Sequence, residues 1–268
     1  MTEQHRGPGP EHRADSAGQP WAGRHLKPNP FSGDDGAIQP AMAAALALES
    51  RPQRVVAVVA ALRETRVLAP IVAHEHPGTD EHGNPKPHAA DTFRLGDRSG
   101  DAMASANLVS VRTPDGRSAV PVFSSVDALQ AWDATARPVP VEGARAALAA
   151  VQESDSLLVL DPGNELTVLV PRPAVWAIAR QQPWTPSWED PEVTHAATQA
   201  LRGLTELVGL RTEPGDRSEL RIRLAVRADV TPERLREVLN AASQALSNDA
   251  LIRERSDSLE LAPQVMAG

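Results

Sequence analysis

The chain has no cysteine. That excludes disulfides, thiolate metal sites and a cysteine nucleophile, and it fits a reducing compartment. Lysine is almost missing: only Lys27 and Lys86 occur, both in stretches that read as tail or loop. No Gly-x-Gly-x-x-Gly run and no Walker pattern is present, which argues against nucleotide binding by those routes. The Gly-x-Ser-x-Gly pattern of a nucleophile elbow is also absent. No run of about 18 apolar residues exists, so no membrane-spanning helix is expected. Met1 to Pro10 lacks the apolar segment of a secretory signal. The expected location is therefore cytoplasmic.

Strong positive charge is lacking as well. The net charge is −8 over 268 residues. Residues 1–188 carry 17 basic and 21 acidic groups, and residues 189–268 carry 10 and 14, so each part stands at −4. Neither part has the concentrated positive surface that phosphate neutralisation needs, nor a polybasic membrane anchor. The expected partners are a protein or a small metabolite, with no nucleic acid, no membrane and no cofactor.

What is present divides the chain into three. Residues 1–37 hold six glycines and five prolines with little apolar clustering. Such a segment buries too little surface to offset its ordering entropy and reads as a disordered tail. From Pro40 an Ala/Leu-rich helix is expected to about Leu48. A capping box of Ser50 and Gln53 then opens a helix with Val55, Val58, Val59 and Leu62 on one face. Val67–Ala73, Ala106–Arg112 and Ser118–Phe123 read as strands, the last two joined by the Pro114-Asp115-Gly116 turn. Pro121 removes an amide donor, which predicts an edge or a bulge. Ser125 caps a helix to Trp132, Val139–Val141 is a brief strand, and Gly143–Val151 is an Ala-rich helix. Leu157–Leu160 and Leu166–Val170 form a second hairpin, and a helix starts at Pro173.

The Pro183-Trp-Thr-Pro-Ser-Trp188 run cannot be regular and reads as a linker. Beyond it a helix is expected over Val193–Val208. Leu220–Arg227 alternates as a strand, with Ile222, Leu224 and Val226 on one face and Arg221, Arg223 and Arg227 on the other. Thr231 and Pro232 open a helix whose buried face includes Leu235, Val238, Ala242 and Leu246. Leu259 and Leu261 lie in a last strand, which completes a βαβ-like unit. The fold class is α+β or α/β: two small mixed sheet-and-helix modules, 38–188 and 189–268, behind the tail.

Several of these runs resemble one family. Asn107-Leu-Val-Ser-Val-Arg-Thr-Pro-Asp-Gly-Arg-Ser-Ala-Val-Pro-Val-Phe through Trp132, Arg137-Pro-Val-Pro-Val141, Leu157-Leu-Val-Leu-Asp-Pro-Gly163, Pro183-Trp-Thr-Pro186 and Asp257-Ser-Leu-Glu-Leu261 are similar to the SseB family, named for enhanced serine sensitivity, especially in its actinobacterial form. The resemblance spans roughly residues 40–262. It implies an N-terminal α/β domain followed by a second module. It carries over no catalytic residues, because the family name reports a phenotype and not a reaction.

The chemistry-bearing residues form a short inventory. His74, His76, His82 and His88 fall among Glu75, Asp80, Glu81 and Asp91. Imidazoles with carboxylates are ligands for zinc or nickel, although the Gly- and Pro-rich segment around them also reads as a solvated loop. Ser124 follows a strand and precedes a helix, and Phe123 and Trp132 flank it; together they mark a speculative ligand groove or simply a packed core. Trp184 and Trp188 either pin the modules together or face a partner. Two functional readings stand open. One is a non-enzymatic regulatory or protein-interaction module. The other is a sensor of a small ligand such as an amino acid, or an enzyme of unrecognised chemistry.

Overall fold

The computed structural model describes residues 30–72 and 109–266. Contacts separate Met1–Asp35 from Gly36–Gly268. In the first unit the Asp34 N–H closes a turn on the Phe31 carbonyl (3.1 Å); among the described residues every helix and strand belongs to the second. Packed chain begins at Gly36, whose φ of +77° suits glycine. A Cβ there would lie 2.3 Å from Val126 Cγ2.

Helix α1 (Pro40–Leu46) begins on a proline, whose missing N–H costs nothing in a first turn. Helix α2 (Arg51–Glu64) buries Val58, Val59, Ala61 and Leu62. The expected capping box does not form: Ser50 is the N-cap residue, but its hydroxyl makes no capping bond. Pro52 removes one of the two amides that such a cap serves. Arg54 instead reaches back to the carbonyls of Leu48 (2.9 Å) and Glu49 (3.2 Å) and satisfies the turn between the helices.

Strands β1 (Arg66–Ile71), β2 (Val111–Arg112) and β3 (Ser118–Val122) follow, then helix α3 (Val126–Trp132), strand β4 (Arg137–Glu142) and helix α4 (Gly143–Glu153). Strands β5 (Leu158–Leu160) and β6 (Val168–Val170) and helix α5 (Arg172–Ala179) complete this part. The sheet order is β2-β3-β5-β6, with β3 and β5 parallel and the other pairs antiparallel. β1 and β4 form a separate antiparallel pair, joined to the sheet by a bridge from Leu68 to Phe123.

Pro121 explains this join. Val120 donates to Leu157 and Val122 accepts from Asp161, so both face the β5 side. Ala119, Pro121 and Phe123 face the other side, where β2 covers Ala119 and β1 covers Phe123. The missing N–H of Pro121 falls in the gap between them. β3 is interior in the strand order, yet the proline still sits where no donor is required.

The sheet is apolar on both faces. Val120, Val122, Leu158, Leu160, Val168 and Val170 pack with α1, α2, α4 and α5 in the main core. Ala119, Leu157 and Val159 form a smaller cluster with Val111 and Leu169, while Leu68, Phe123 and Leu129 pack under α3. Gly143 lets α4 abut the end of α2: a Cβ there would stand 1.9 Å from the Leu62 carbonyl oxygen. Ser125 caps α3 as its sequence position indicates, its Oγ accepting from the Ala128 N–H (3.1 Å). Ser125→Ala is expected to cost about 1 kcal/mol, measured as a lower urea midpoint with an unchanged slope.

The C-terminal part holds helix α6 (Pro191–Ala200), strands β7 (Leu207–Pro214) and β8 (Leu220–Val226), helices α7 (Pro232–Asn248) and α8 (Ala250–Arg255), and strand β9 (Leu259–Val265). The helix expected over Val193–Val208 is corrected here. It stops at Ala200, and a turn through Gly203 leads into β7, which pairs with β8 along its length. Leu204 and Leu207 still pack on the core, so their apolar spacing reports burial rather than helix. β8 lies between antiparallel β7 and parallel β9, and β8-α7-α8-β9 is a βαβ crossover. Leu220, Ile222, Leu224 and Val226 are buried under the helices. The opposite face carries the arginine row, which is neutralised within the sheet. Arg221 pairs with Asp216 and Glu260, and Arg223 with Glu213; Arg227, just past the strand, pairs with Asp229. No helix among the described residues is long and apolar enough to cross a membrane.

Candidate functional site

The residues singled out from sequence sit in two places. His74, His76, His82 and His88 lie outside the described residues. Phe123, Ser124 and Trp132 do come together, but as packing. Phe123 is wholly buried and its ring meets Trp132 at 5.3 Å between centroids. Ser124 is buried, its N–H donating to Asp161 Oδ1 (2.7 Å) and its carbonyl accepting from Arg66 (3.0 Å). The space between Phe123 and Trp132 is thus filled by the two rings. Among the described residues no group of three or more His, Asp or Glu is arranged to hold a metal ion.

A groove of about 400 Å³ lies elsewhere. One wall comes from the first turns of α2 (Arg51, Pro52, Val55), the β2–β3 turn (Thr113 to Arg117), and Leu169 and Pro171 at the end of β6. The other comes from Trp188, the β7–β8 turn (Pro214 to Glu219) and Asp257-Ser258 ahead of β9. Leu169 reaches it from the second apolar face of the sheet, so the groove continues a hydrophobic surface.

Polar contacts define its geometry. Arg117 meets Asp257 through two parallel bonds, Nη1 to Oδ1 at 2.8 Å and Nη2 to Oδ2 at 2.9 Å, and its Nε meets Asp115 Oδ2 at 2.7 Å. This two-pronged match fits guanidinium to carboxylate. The Asp257 hydrogen bonds, reinforced by Asp115, hold the Arg117 proton more tightly than usual. Arg51 Nη1 donates to the carbonyls of Asp216 (2.7 Å) and Gly215 (3.3 Å). Arg172 donates to the carbonyls of Arg253 and Ser256. Three arginines from the first 180 residues thus reach across to the C-terminal part.

Glu219 is the carboxylate of the groove wall. Its Oε1 accepts from Ser187 Oγ (2.9 Å) and its Oε2 from the Asp257 N–H (2.5 Å), while its own N–H donates to Ser258 Oγ (3.0 Å). Burial pushes its pKa up to about 7, against the pull of those hydrogen bonds, and the nearby Asp257 charge adds to the rise.

Two tryptophans of the irregular segment staple the parts. Trp184 packs on the N-terminal core and Trp188 on the C-terminal one, with the rings edge-to-face at 6.0 Å and 88°. Sequence reasoning marked this pair but missed Arg117, Asp257 and Glu219. The Pro114-Asp115-Gly116 turn pointed to Arg117 only as a turn neighbour, and nothing in the local pattern singled out Glu219. No short-range pattern brings Arg117 to Asp257, 140 residues away.

The model of the SseB protein N-terminal domain matches residues 38–177, just over half of the 268 residues, and supplies the α2, β2–β3 and β6 wall of the groove. Neither a curated protein nor a solved structure matches the chain. On the extent of that match, this chain belongs to the SseB family.

Proposed function

We propose that this protein is a non-enzymatic regulatory module that binds a small ligand in the groove between its N-terminal and C-terminal parts. The groove carries the reading. Its volume of about 400 Å³ lies within the range of small-molecule sites, and apolar walls with a few convergent polar groups are their usual lining. Val55, Leu169, Pro171 and Trp188 supply the apolar surface, and Glu219, Ser258 and Arg217 the polar groups. Because the walls belong to both parts, a bound ligand contacts both and favours their closed arrangement, a means of signalling occupancy to a partner. A catalytic role has less support. His195 is the one histidine among the described residues; it is exposed on α6 and pairs with no nucleophile.

A thermal-shift screen of the full chain against amino acids, nucleotides and divalent metals tests the reading. A ligand at 100 times its dissociation constant adds about 2.7 kcal/mol, a rise of roughly 5–10 °C for a chain of this size. Val55→Trp, which fills the groove, is expected to abolish the response. A response that survives this substitution places the ligand elsewhere, and a flat screen counts against the ligand-binding role.

A further inference from the structure

We infer that the ligand of this groove carries a nitrogen cation, an ammonium or a guanidinium, that pairs with the Glu219 carboxylate. The inference rests on the groove being a ligand site. It comes from following every charge on the groove walls to its partner. Arg117 is engaged by Asp257 and Asp115. Arg51 Nη1 donates to the carbonyls of Gly215 and Asp216. Arg217 is exposed, and its hydrogen bond to Glu260 comes from its backbone N–H. Among the described residues Glu219 receives only neutral donors, Ser187 Oγ and the Asp257 N–H. Its charged neighbour is Asp257, which has the same sign.

A carboxylate withdrawn from water without a cation beside it is a costly arrangement. Each of its oxygens has accepted one hydrogen bond and has capacity for another. A ligand cation at Glu219 meets that deficit. Asp257 is already matched by Arg117, so the cation does not compete with an existing pair. The walls around it specify the remainder of the ligand. Val55, Leu169 and Pro171 fit a hydrocarbon or aromatic body, and Trp188 presents an indole to the same groove, a surface that also attracts cations.

Such binding depends on pH in a defined direction. Burial holds the Glu219 proton up to about 7, and a cation binds only the ionised form. Affinity therefore rises as pH rises through that value. Asp115, Asp257 and Arg117 face the same space, with Arg51 and Arg217 at its rim.

The experiment is calorimetric titration of the full chain with phenethylamine, its neutral isostere phenethyl alcohol and its anionic isostere hydrocinnamate, at about pH 6 and about pH 8. The amine is expected to bind about tenfold more tightly at the higher pH and more tightly than either isostere. Glu219→Gln can turn its Oε1 to the Asp257 N–H and donate from Nε2 to Ser187 Oγ, so it stays hydrogen-bonded, and it is expected to remove the amine's advantage. An amine no tighter than the alcohol, or an advantage that survives Glu219→Gln, overturns the inference. If the alcohol binds equally well and Val55→Trp abolishes it, the groove stands as a ligand site and only the cation is wrong. Amine binding that survives Val55→Trp, or no binding by any of the three, overturns both.

Discussion

Arg117→Ala is expected to lower the free energy of unfolding by about 3 kcal/mol and the melting temperature by roughly 6–12 °C. The Asp257 side chain is only 2% exposed, whereas that of Arg117 is 28% exposed. Removing the arginine therefore leaves a desolvated, unpaired carboxylate beside Glu219, and breaking a pair from its cationic side costs more than the pair contributes. The loss also falls on the junction of the two parts, since Arg117 stands at the start of β3 and Asp257 before β9. Calorimetry is then expected to show a broader melt, because the junction loses its two-pronged ion pair and keeps the bonds of Arg51 and Arg172 to backbone carbonyls, the Ser187–Glu219 bond and the tryptophan pair. A change below about 1 kcal/mol, the value of an exposed pair, would mean that Asp257 finds water when the arginine is gone.

The second large effect is the pH dependence of stability through Glu219. Its folded pKa is about 7 against an ordinary value of 4.5, with burial as the main cause. Between those values the native chain keeps a proton that the unfolded chain has released. Stability therefore falls as pH rises through this window, by about 3 kcal/mol in all, and levels off above it. Glu219→Gln removes that fall. The variant should match the parent near pH 4.5 and exceed it above pH 7 in urea midpoint. Groups of the opposite kind shape the acid side. Thr113 and Arg117 hold the Asp115 carboxyl below its usual range, Arg223 does so for Glu213, and Arg221 for Asp216. Their contribution is present above the unfolded values and is lost as pH falls through the folded ones. Equal midpoints for parent and variant at all pH values would show that Glu219 ionises freely in the folded chain. A cationic ligand should cancel part of the fall in the parent and none of it in Glu219→Gln, which links the stability measurement to the binding one.

Much of the fold was legible because its signals are local. The turn at Pro114-Asp115-Gly116, the caps at Ser125 and Thr231, and the alternation of Leu220 to Val226 each act within a few residues, and each appears in the structure at its place. The βαβ crossover followed from their spacing. The errors have two causes. Residues 201–208 carry apolar side chains at helical intervals, yet pairing with β8 draws Leu207 onward into a strand, because tertiary pairing outweighs a weak propensity. Ser50 has the sequence of a capping box, but the proline that follows spoils its geometry.

The candidate site divides along the same line. By itself the sequence determined the fold class, the family and the exclusion of thiol chemistry, since composition and near-neighbour spacing suffice for those. It also marked Phe123 and Trp132 as neighbours, but aromatic proximity does not distinguish a groove from a core; the closeness of their rings decided for the core. The tertiary structure alone decided that Arg117 meets Asp257 and that Glu219 lies in the groove with no cation paired to it among the described residues. These are meetings of charged side chains across module boundaries, and their energies depend on burial and partner, which no stretch of chain encodes on its own.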